Sequence, residues 1–227
     1  MSPQGTAPAA FMKREPLLAG GLVVSAALTI AAAPWALAMP LLAFVFKPLA
    51  TLCVIAYAAG RGGDRVVRRW VLAGLVLSLA GDVALLWPKE GFLPGLVSFL
   101  LAHLAYLVAF TRRQRQAAWW PAFAVYALVA GLILWRLWPG VPAALQGPVV
   151  AYVVCLASMA AQAAVLWRRG EARGATLALG GALFVASDAL LATNRFAMAM
   201  PLANLWILGT YWAAQWCIAS WLPPRRA

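Results

Sequence analysis

Two aspartates, Asp82 and Asp188, lie within long apolar stretches of this 227-residue chain, and the other four acidic residues lie in short polar connections. A charge inside hydrocarbon costs roughly 3 kcal/mol on insertion scales, so each aspartate needs a partner or a proton. Two carboxyl groups in one low-dielectric site are not both readily ionised, so one keeps its proton while the other carries the charge. A site with one protonated and one ionised carboxyl group supplies both an acid and a base for catalysis. We therefore take Asp82 and Asp188 as the candidate catalytic residues.

The elements that must position these aspartates are transmembrane helices. Hydrophobic residues make up 65% of the chain and charged residues 11%, whereas a soluble domain carries about 25% charged residues. The apolar stretches are close to the ~20 residues that cross a bilayer, and they are continuous rather than alternating, which favours helices over barrel strands. We predict an all-α, polytopic bundle of eight helices. Their approximate bounds are 17–34, 40–59, 70–87, 92–110, 117–138, 148–167, 175–193 and 202–222.

Basic residues are concentrated in alternate connections. The N-terminal segment, the loops at 60–69, 111–116 and 168–174, and the C-terminal tail together hold fourteen Lys and Arg residues. The other connections hold three, which are Lys89, Arg136 and Arg195. The positive-inside rule therefore predicts that both termini are cytoplasmic. Residues 1–16 and 223–227 are predicted to be cytoplasmic tails around a single transmembrane domain at 17–222.

Two features of the charge pattern have competing interpretations. The net charge of +12 could suggest nucleic acid, but the basic residues form short clusters between apolar spans, so we predict no nucleic-acid partner. The first apolar segment is followed by Ala36-Leu37-Ala38, as in a cleaved signal peptide, but it exceeds the ~7–15 apolar residues of such signals. We expect this segment to remain as the first helix, although the sequence alone leaves cleavage open.

Polar side chains on five spans are predicted to lie at one depth. Helical rise places Asp82 and Asp188 ~18 Å and ~20 Å from the cytoplasmic starts of their spans, and Lys47 ~10 Å from the outer face. His103 and Tyr211 lie at similar depth. We expect these five side chains to converge in the outer half of the bilayer.

Each of these side chains also has a purely structural interpretation. Four others, Tyr106, Tyr152, Ser187 and Gln215, are of types that commonly form hydrogen bonds between membrane helices. His103 is also consistent with a satisfied core histidine, and Lys47 with a buried ion pair that only fixes packing. The two aspartates at equal depth are harder to explain by packing alone.

Five segments resemble a known family of membrane proteins. They are FKPLAT (46–51), SLAGDVALLW (78–87), FLPGLVSFLLAHLAYLVAF (92–110), GGALFVASDALLATNRF (180–196) and GTYWAAQW (209–216). Together they resemble the YhhN-like or lysoplasmalogenase family, and the resemblance covers nearly all of the chain after the N-terminal tail. It implies an eight-helix bundle in which the characteristic polar positions are Lys47, Asp82, His103, Ser187, Asp188, Asn194 and Tyr211.

The resemblance implies an enzyme that hydrolyses the vinyl ether bond of lysoplasmalogens to a fatty aldehyde and a glycerophospho head group. Its expected partners are a lysophospholipid, water and the surrounding membrane lipids. Vinyl ether hydrolysis begins with protonation of carbon, and water then captures the cation, so it needs an acid and a carboxylate. We expect Asp82 and Asp188 to divide these roles, with the assignment open. The residues expected to support them or bind substrate are Lys47, His103, Tyr106, Tyr152, Ser187, Asn194, Tyr211 and Gln215.

Three other functions are weighed against this one. A metal-dependent hydrolase would need several His or carboxylate ligands, and the chain has one His, so we predict neither a metal nor a cofactor. A small-molecule or proton-coupled transporter using the same aspartates is the main alternative, although no repeat supports it. A lipid-binding protein without catalysis is the third.

The predicted location is the bacterial inner membrane, and the sequence does not indicate an oligomeric state.

Overall fold

The computed structural model describes residues 14–87 and 89–225. The predicted N-terminal tail as far as Lys13, Pro88 at the end of the third span, and Arg226 and Ala227 in the C-terminal tail lie outside the described residues. Within them the chain forms eight α-helices, which confirms the predicted all-α bundle. The helices are α1 (Glu15–Ala31), α2 (Pro40–Gly60), α3 (Arg65–Ala84), α4 (Phe92–Thr111), α5 (Trp120–Leu137), α6 (Ala143–Arg168), α7 (Gly174–Phe196) and α8 (Ala203–Trp221).

Each predicted span overlaps one helix, and the largest differences are at the starts of α3 and α6, which lie at residues 65 and 143 rather than at the predicted 70 and 148. The start of α3 precedes the predicted span because the Asp64 carboxylate accepts hydrogen bonds from the backbone N–H groups of Val66 and Val67, which caps the helix. The start of α6 also comes earlier, at Ala143, so Pro148 lies inside the helix rather than at its end. Pro48 lies inside α2.

Five of the eight helices are long and apolar enough to cross a membrane. They are α2, α4, α5 with the 3-10 turn that follows it, α6 and α7. The shorter α1 is apolar, with 17 residues, and α3 begins with three arginines and contains Asp82. Many large apolar side chains of the bundle are exposed, including Leu17, Leu41 and Trp135. Such a surface suits lipid, so the chain is an integral membrane protein.

The helices form a closed arrangement around a core. Each of α1, α2 and α3 packs against the next helix in the chain, α4 packs against α6, and α6, α7 and α8 pack in order. Contacts of α8 with α2 and α1 close the arrangement, while α5 lies outside it against α6. Asp82 on α3 and Asp188 on α7 therefore come from opposite parts of the ring.

Glycines on α3 allow it to approach α4 closely beside Asp82. A Cβ atom at Gly81 would lie 2.6 Å from the Phe99 ring, and one at Gly74 would overlap the Tyr106 ring. Each aromatic ring therefore occupies the space that a larger residue on α3 would take. This packing fixes the last turns of α3, and with them Asp82, against α4.

Arginines join the basic connections at one end of the bundle. Arg61, after α2, donates to the Leu222 carbonyl at 2.8 Å and pairs with Glu15 at 2.9 Å. Arg113, after α4, pairs with Glu171, after α6, at 2.9 Å. Arg173, in the same connection as Glu171, donates to the Ser220 and Leu222 carbonyls and so joins these two groups. The basic connections therefore lie together at this end, which is the arrangement that the positive-inside prediction requires. Which side of the membrane this end faces stays a prediction.

Candidate active site

Asp82 is surrounded by hydrogen-bond donors from two other helices. Its Oδ2 accepts hydrogen bonds from Thr51 Oγ1 at 2.6 Å and from the Tyr211 hydroxyl at 2.7 Å. Lys47 Nζ lies 3.6 Å from Oδ1 and donates to the Asp82 main-chain carbonyl at 3.1 Å. Asp82 is only 1% exposed. Two hydroxyl donors and one cation favour the ionised carboxylate.

A second layer of hydrogen bonds holds these donors in place. The Tyr106 hydroxyl donates to Gln215 Oε1 at 2.8 Å, and Gln215 Nε2 donates to the Tyr211 hydroxyl at 3.0 Å. Because the Tyr211 oxygen accepts from Gln215, its own proton is directed at Asp82. Trp212 Nε1 similarly donates to Thr51 Oγ1 at 3.2 Å. The two donors to Asp82 are therefore oriented by α4 and α8.

Asp188 has a much simpler environment. The Tyr152 hydroxyl on α6 donates to its Oδ2 at 2.6 Å. Among the described residues no Lys, Arg or His nitrogen lies within 4.0 Å of this carboxyl group. The side chain is only partly buried, whereas Asp82 is fully buried.

One cavity of about 650 Å³ is lined by both aspartates. Its wall also includes Lys47 and Tyr211, which contact Asp82, and Ser187, which precedes Asp188. A smaller cavity of about 100 Å³ adjoins Asp188 and Tyr152 and is otherwise lined by apolar side chains of α3 to α7 and the turn after α5. The residues that line both cavities are Leu85, Phe92, Phe99, Asp188 and Leu191. Asp188 thus stands where a polar cavity meets an apolar one.

Six of the ten predicted site residues line the larger cavity. They are Lys47, Asp82, Ser187, Asp188, Asn194 and Tyr211. Ser187 Oγ donates to the Ile207 carbonyl at 3.0 Å, and Asn194 Oδ1 accepts from the Met200 backbone N–H at 2.9 Å. These two side chains tie α7 to α8 and to the connection between them.

The other four predicted residues lie behind the wall of the larger cavity. Tyr106 and Gln215 belong to the second layer at Asp82, and Tyr152 holds Asp188 and lines the smaller cavity. His103 is fully buried against the rings of Tyr152 and Phe184, with centroid distances of 5.4 and 4.9 Å. Neither of its ring nitrogens has a hydrogen-bond partner among the described residues. The structure therefore does not bring His103 into contact with either carboxylate.

Three polar side chains of this region were not predicted from the sequence. Thr51 contacts Asp82 directly, Trp212 orients Thr51, and Arg195 lines the larger cavity. Thr51 lies four residues after Lys47, on the same helix face, and this spacing was the available signal. Arg195 is expected from the sequence only as a charge in an outer connection. In the described parts of the chain no three His, Cys, Asp or Glu side chains are grouped so that they could hold a metal ion.

Comparison with known proteins identifies the family. The sequence model of the YhhN family matches residues 42–222. Lysoplasmalogenase TMEM86B of Sus scrofa is 38% identical over 173 residues, covering 74% of this chain and 69% of the relative. The Homo sapiens protein of the same name is 34% identical over 178 residues, covering 76% and 72%.

A bacterial relative is similar over a slightly shorter region. Lysoplasmalogenase of Mycobacterium tuberculosis (strain CDC 1551 / Oshkosh) is 34% identical over 165 residues, covering 67% of this chain and 60% of the relative. No solved structure matches the chain. The matched region runs from α2 to the end of α8 and contains every predicted site residue, which confirms the resemblance seen in the motifs. This chain belongs to the YhhN family.

Proposed function

We propose that this protein is a lysoplasmalogenase, which hydrolyses the vinyl ether bond of an alkenyl-glycerophosphoethanolamine or -choline. The products are a fatty aldehyde and the glycerophospho head group. The observation that carries the proposal is that two aspartates with different surroundings line one cavity beside an apolar one. Relatives named lysoplasmalogenase support it.

Asp188 is the proton donor in this proposal. Within the described residues a single neutral donor, Tyr152, contacts its Oδ2, and no cation lies within 4.0 Å of the carboxyl group. Such surroundings favour the neutral carboxylic acid, and the second oxygen is left to carry the proton. The apolar cavity beside Asp188 accommodates the start of the alkenyl chain. The β-carbon of the vinyl ether then lies next to the acid.

Asp82 is the ionised partner. Proton transfer from Asp188 to the β-carbon forms a C–H bond and leaves an oxocarbenium cation, which the Asp82 carboxylate stabilises. A water molecule that gives a proton to Asp82 forms the new C–O bond. The resulting hemiacetal breaks its bond to the glycerol oxygen, and the proton of its hydroxyl group passes to that oxygen as the aldehyde forms. Return of one proton from Asp82 to Asp188 restores the starting state.

The direct test uses the purified protein in detergent with 1-alkenyl-glycerophosphoethanolamine. Mass spectrometry should detect equal amounts of fatty aldehyde and glycerophosphoethanolamine. Asp82→Asn and Asp188→Asn should each lower kcat by about 100- to 10,000-fold, the usual contribution of a general acid or base. Asp64→Asn, at an exposed aspartate outside the cavity, serves as the matched control.

Three results would contradict the proposal. Full activity in either cavity variant would exclude the two-carboxylate mechanism, and loss of activity with a chelator would contradict the expected metal independence. No aldehyde from folded protein, together with solute uptake in liposomes, would favour the transporter instead.

We also propose that both termini are cytoplasmic and that residues 17–222 form one transmembrane domain in a bacterial inner membrane. Arginine contacts join the basic connections at one end of the bundle, and the positive-inside rule assigns such an end to the cytoplasm. Membrane-impermeant labelling in intact cells should modify a cysteine introduced at Glu90. The same reagent should modify one at Gln114 only after permeabilisation, and the reverse pattern would invert the topology.

A further inference from the structure

Arg195 lies on the same cavity as the two aspartates but has no part in the proton transfers above. It follows Asp188 by seven residues on α7, so the two lie on one helix face about 10 Å apart along the axis. Both line the larger cavity. Arg195 is in the last turn of α7 and is exposed, whereas Asp188 is partly buried. The cavity thus has a cation two helical turns from the proposed acid.

The guanidinium of Arg195 is held in place without being neutralised. It lies over the Phe92 ring, with Cζ 4.5 Å from the ring centroid. Within residues 14–87 and 89–225 no carboxylate oxygen lies within 4.0 Å of it. An arginine stacked on an aromatic face keeps the N–H groups at its edge available for an anion.

Lys47 does not compete for that anion. Of the two basic side chains that line the larger cavity in the described chain, Lys47 is 8% exposed and occupied by Asp82. Arg195 is the exposed one. Asn194 and Asn204 also line the cavity, so its wall includes two neutral amide residues besides the cation. An anion entering this cavity from water therefore meets Arg195 first.

We propose that Arg195 binds the phosphate of the lysophospholipid head group and thereby sets the depth at which the vinyl ether reaches Asp188. The inference rests on the proposed function. In the substrate a three-carbon glycerol unit separates the ether oxygen from the phosphate. The glycerol unit and the long Arg195 side chain together span the distance of two helical turns, about 10 Å, between Arg195 and Asp188. The phosphate lies at the mouth of the cavity while the alkenyl chain enters the apolar cavity.

The test compares two substrates that differ in the phosphate. Wild type, Arg195→Gln and Arg195→Lys are assayed with 1-alkenyl-glycerophosphoethanolamine and with 1-alkenylglycerol, which has no phosphate. Arg195→Gln should lower kcat/KM for the phospholipid by about 10- to 100-fold, the effect of losing a charge-assisted hydrogen bond. Its kcat/KM for 1-alkenylglycerol should stay at the wild-type value. Arg195→Lys should recover part of the loss, because lysine keeps the charge but not the planar donor pair.

Arg136→Gln is the matched control, because Arg136 is an exposed arginine at the end of α5 and does not line the cavity. Binding of 1-O-alkyl-glycerophosphoethanolamine, a saturated ether that cannot react, should weaken in Arg195→Gln and not in Arg136→Gln. Calorimetry measures this binding without turnover.

The outcomes separate the two proposals. An equal loss on both substrates, or no loss on the phospholipid, would overturn the role of Arg195 and leave the proposed function standing. Competitive inhibition by inorganic phosphate, without binding of the alkyl lipid, would overturn the assignment to a head group. If the folded wild type made aldehyde from neither substrate, the proposed function would fail first.

Discussion

Asp82 and Asp188 are the same residue type, lie in apolar helices and line one cavity, yet their surroundings differ. Asp82 is buried among two hydroxyl donors and a lysine. Asp188 has one tyrosine donor and borders an apolar cavity. The cost of a buried carboxylate is offset at the first site by partners. At the second, the same cost is avoided if the carboxyl group keeps its proton. Neighbouring side chains, rather than residue type or depth, distinguish the two.

The largest expected effect is the loss of stability when the ion pair between Lys47 and Asp82 is broken. Lys47→Met leaves an uncompensated carboxylate in the core, which should lower the free energy of unfolding by about 3–5 kcal/mol. The double variant Lys47→Met/Asp82→Asn should be more stable than Lys47→Met alone, since it removes the unpaired charge. Thermal unfolding in detergent measures both. Lys89→Met, at an exposed lysine, is the control, and a Lys47→Met protein as stable as wild type would contradict the ion-pair interpretation.

Tyr152 and Tyr211, which each donate to one of the two aspartates, should contribute unequally to kcat. Tyr152→Phe removes the hydrogen bond that orients Asp188, and kcat should fall by roughly 10- to 100-fold. Tyr211→Phe leaves Asp82 with Thr51 and Lys47, so its loss should be smaller, about three- to tenfold. Steady-state kinetics on both variants, with thermal unfolding to confirm the fold, measure the difference. A larger loss at Tyr211 would reverse the comparison.

A substitution at Thr51 also tests whether the hydroxyl donors to Asp82 contribute to kcat, and it changes the shape of the side chain very little. Thr51→Val is close to isosteric, removes one of the donors to Asp82 and leaves Trp212 Nε1 without its partner. A roughly threefold to tenfold loss of kcat is expected. Thr51→Ser keeps the hydroxyl and should retain most of the activity. If the valine and serine variants behaved alike, the hydroxyl would not be the relevant group.

The smallest effect is expected at Asp64, an exposed aspartate that serves as a reference for the two in the cavity. Hydrogen bonds from the backbone N–H groups of Val67 and Val66 hold the pKa of its carboxyl group below the ordinary value. Its capping contribution is therefore present above that ordinary value and is lost as pH falls through the lowered one.

Asp64→Ala should lower the Tm slightly at neutral pH and leave kcat unchanged. Below about pH 4 the Tm difference from wild type should shrink as the wild-type cap is protonated. Asp64→Asn keeps a capping side chain that does not titrate, and its Tm should therefore lack this pH dependence. A Tm difference between wild type and Asp64→Ala that is constant down to pH 2 would contradict the role of the charge.

The eight helices could be predicted because their signals are local. A run of apolar residues long enough to cross a membrane can be recognised without knowing which helices pack against it. All eight predicted spans overlap helices. The ends were less accurate, since the start of α3 depends on the Asp64 cap and that of α6 on a helix that continues through Pro148. The family could also be recognised, because its motifs include the polar residues that interrupt these runs.

The polar residues of the site were less completely predictable. Depth along a helix follows from residue number, so Lys47, Asp82, Asp188 and Tyr211 could be expected in one layer, and they line one cavity. The same argument included His103, which the structure places among aromatic rings away from both carboxylates. Depth does not specify which way a side chain points around its helix, and helix rotation accounts for this difference.

The sequence by itself determined that this chain is a helical membrane protein with two aspartates in apolar helices. Composition and residue spacing are properties of each segment alone and do not depend on which helices pack against it. Only the tertiary structure decided that Thr51 and Tyr211 donate to Asp82 while, among the described residues, Tyr152 is the one donor to Asp188. It also decided that Arg195 lines their cavity. These contacts join residues far apart in the chain, so they depend on how helices cross and rotate against one another, which no single segment encodes.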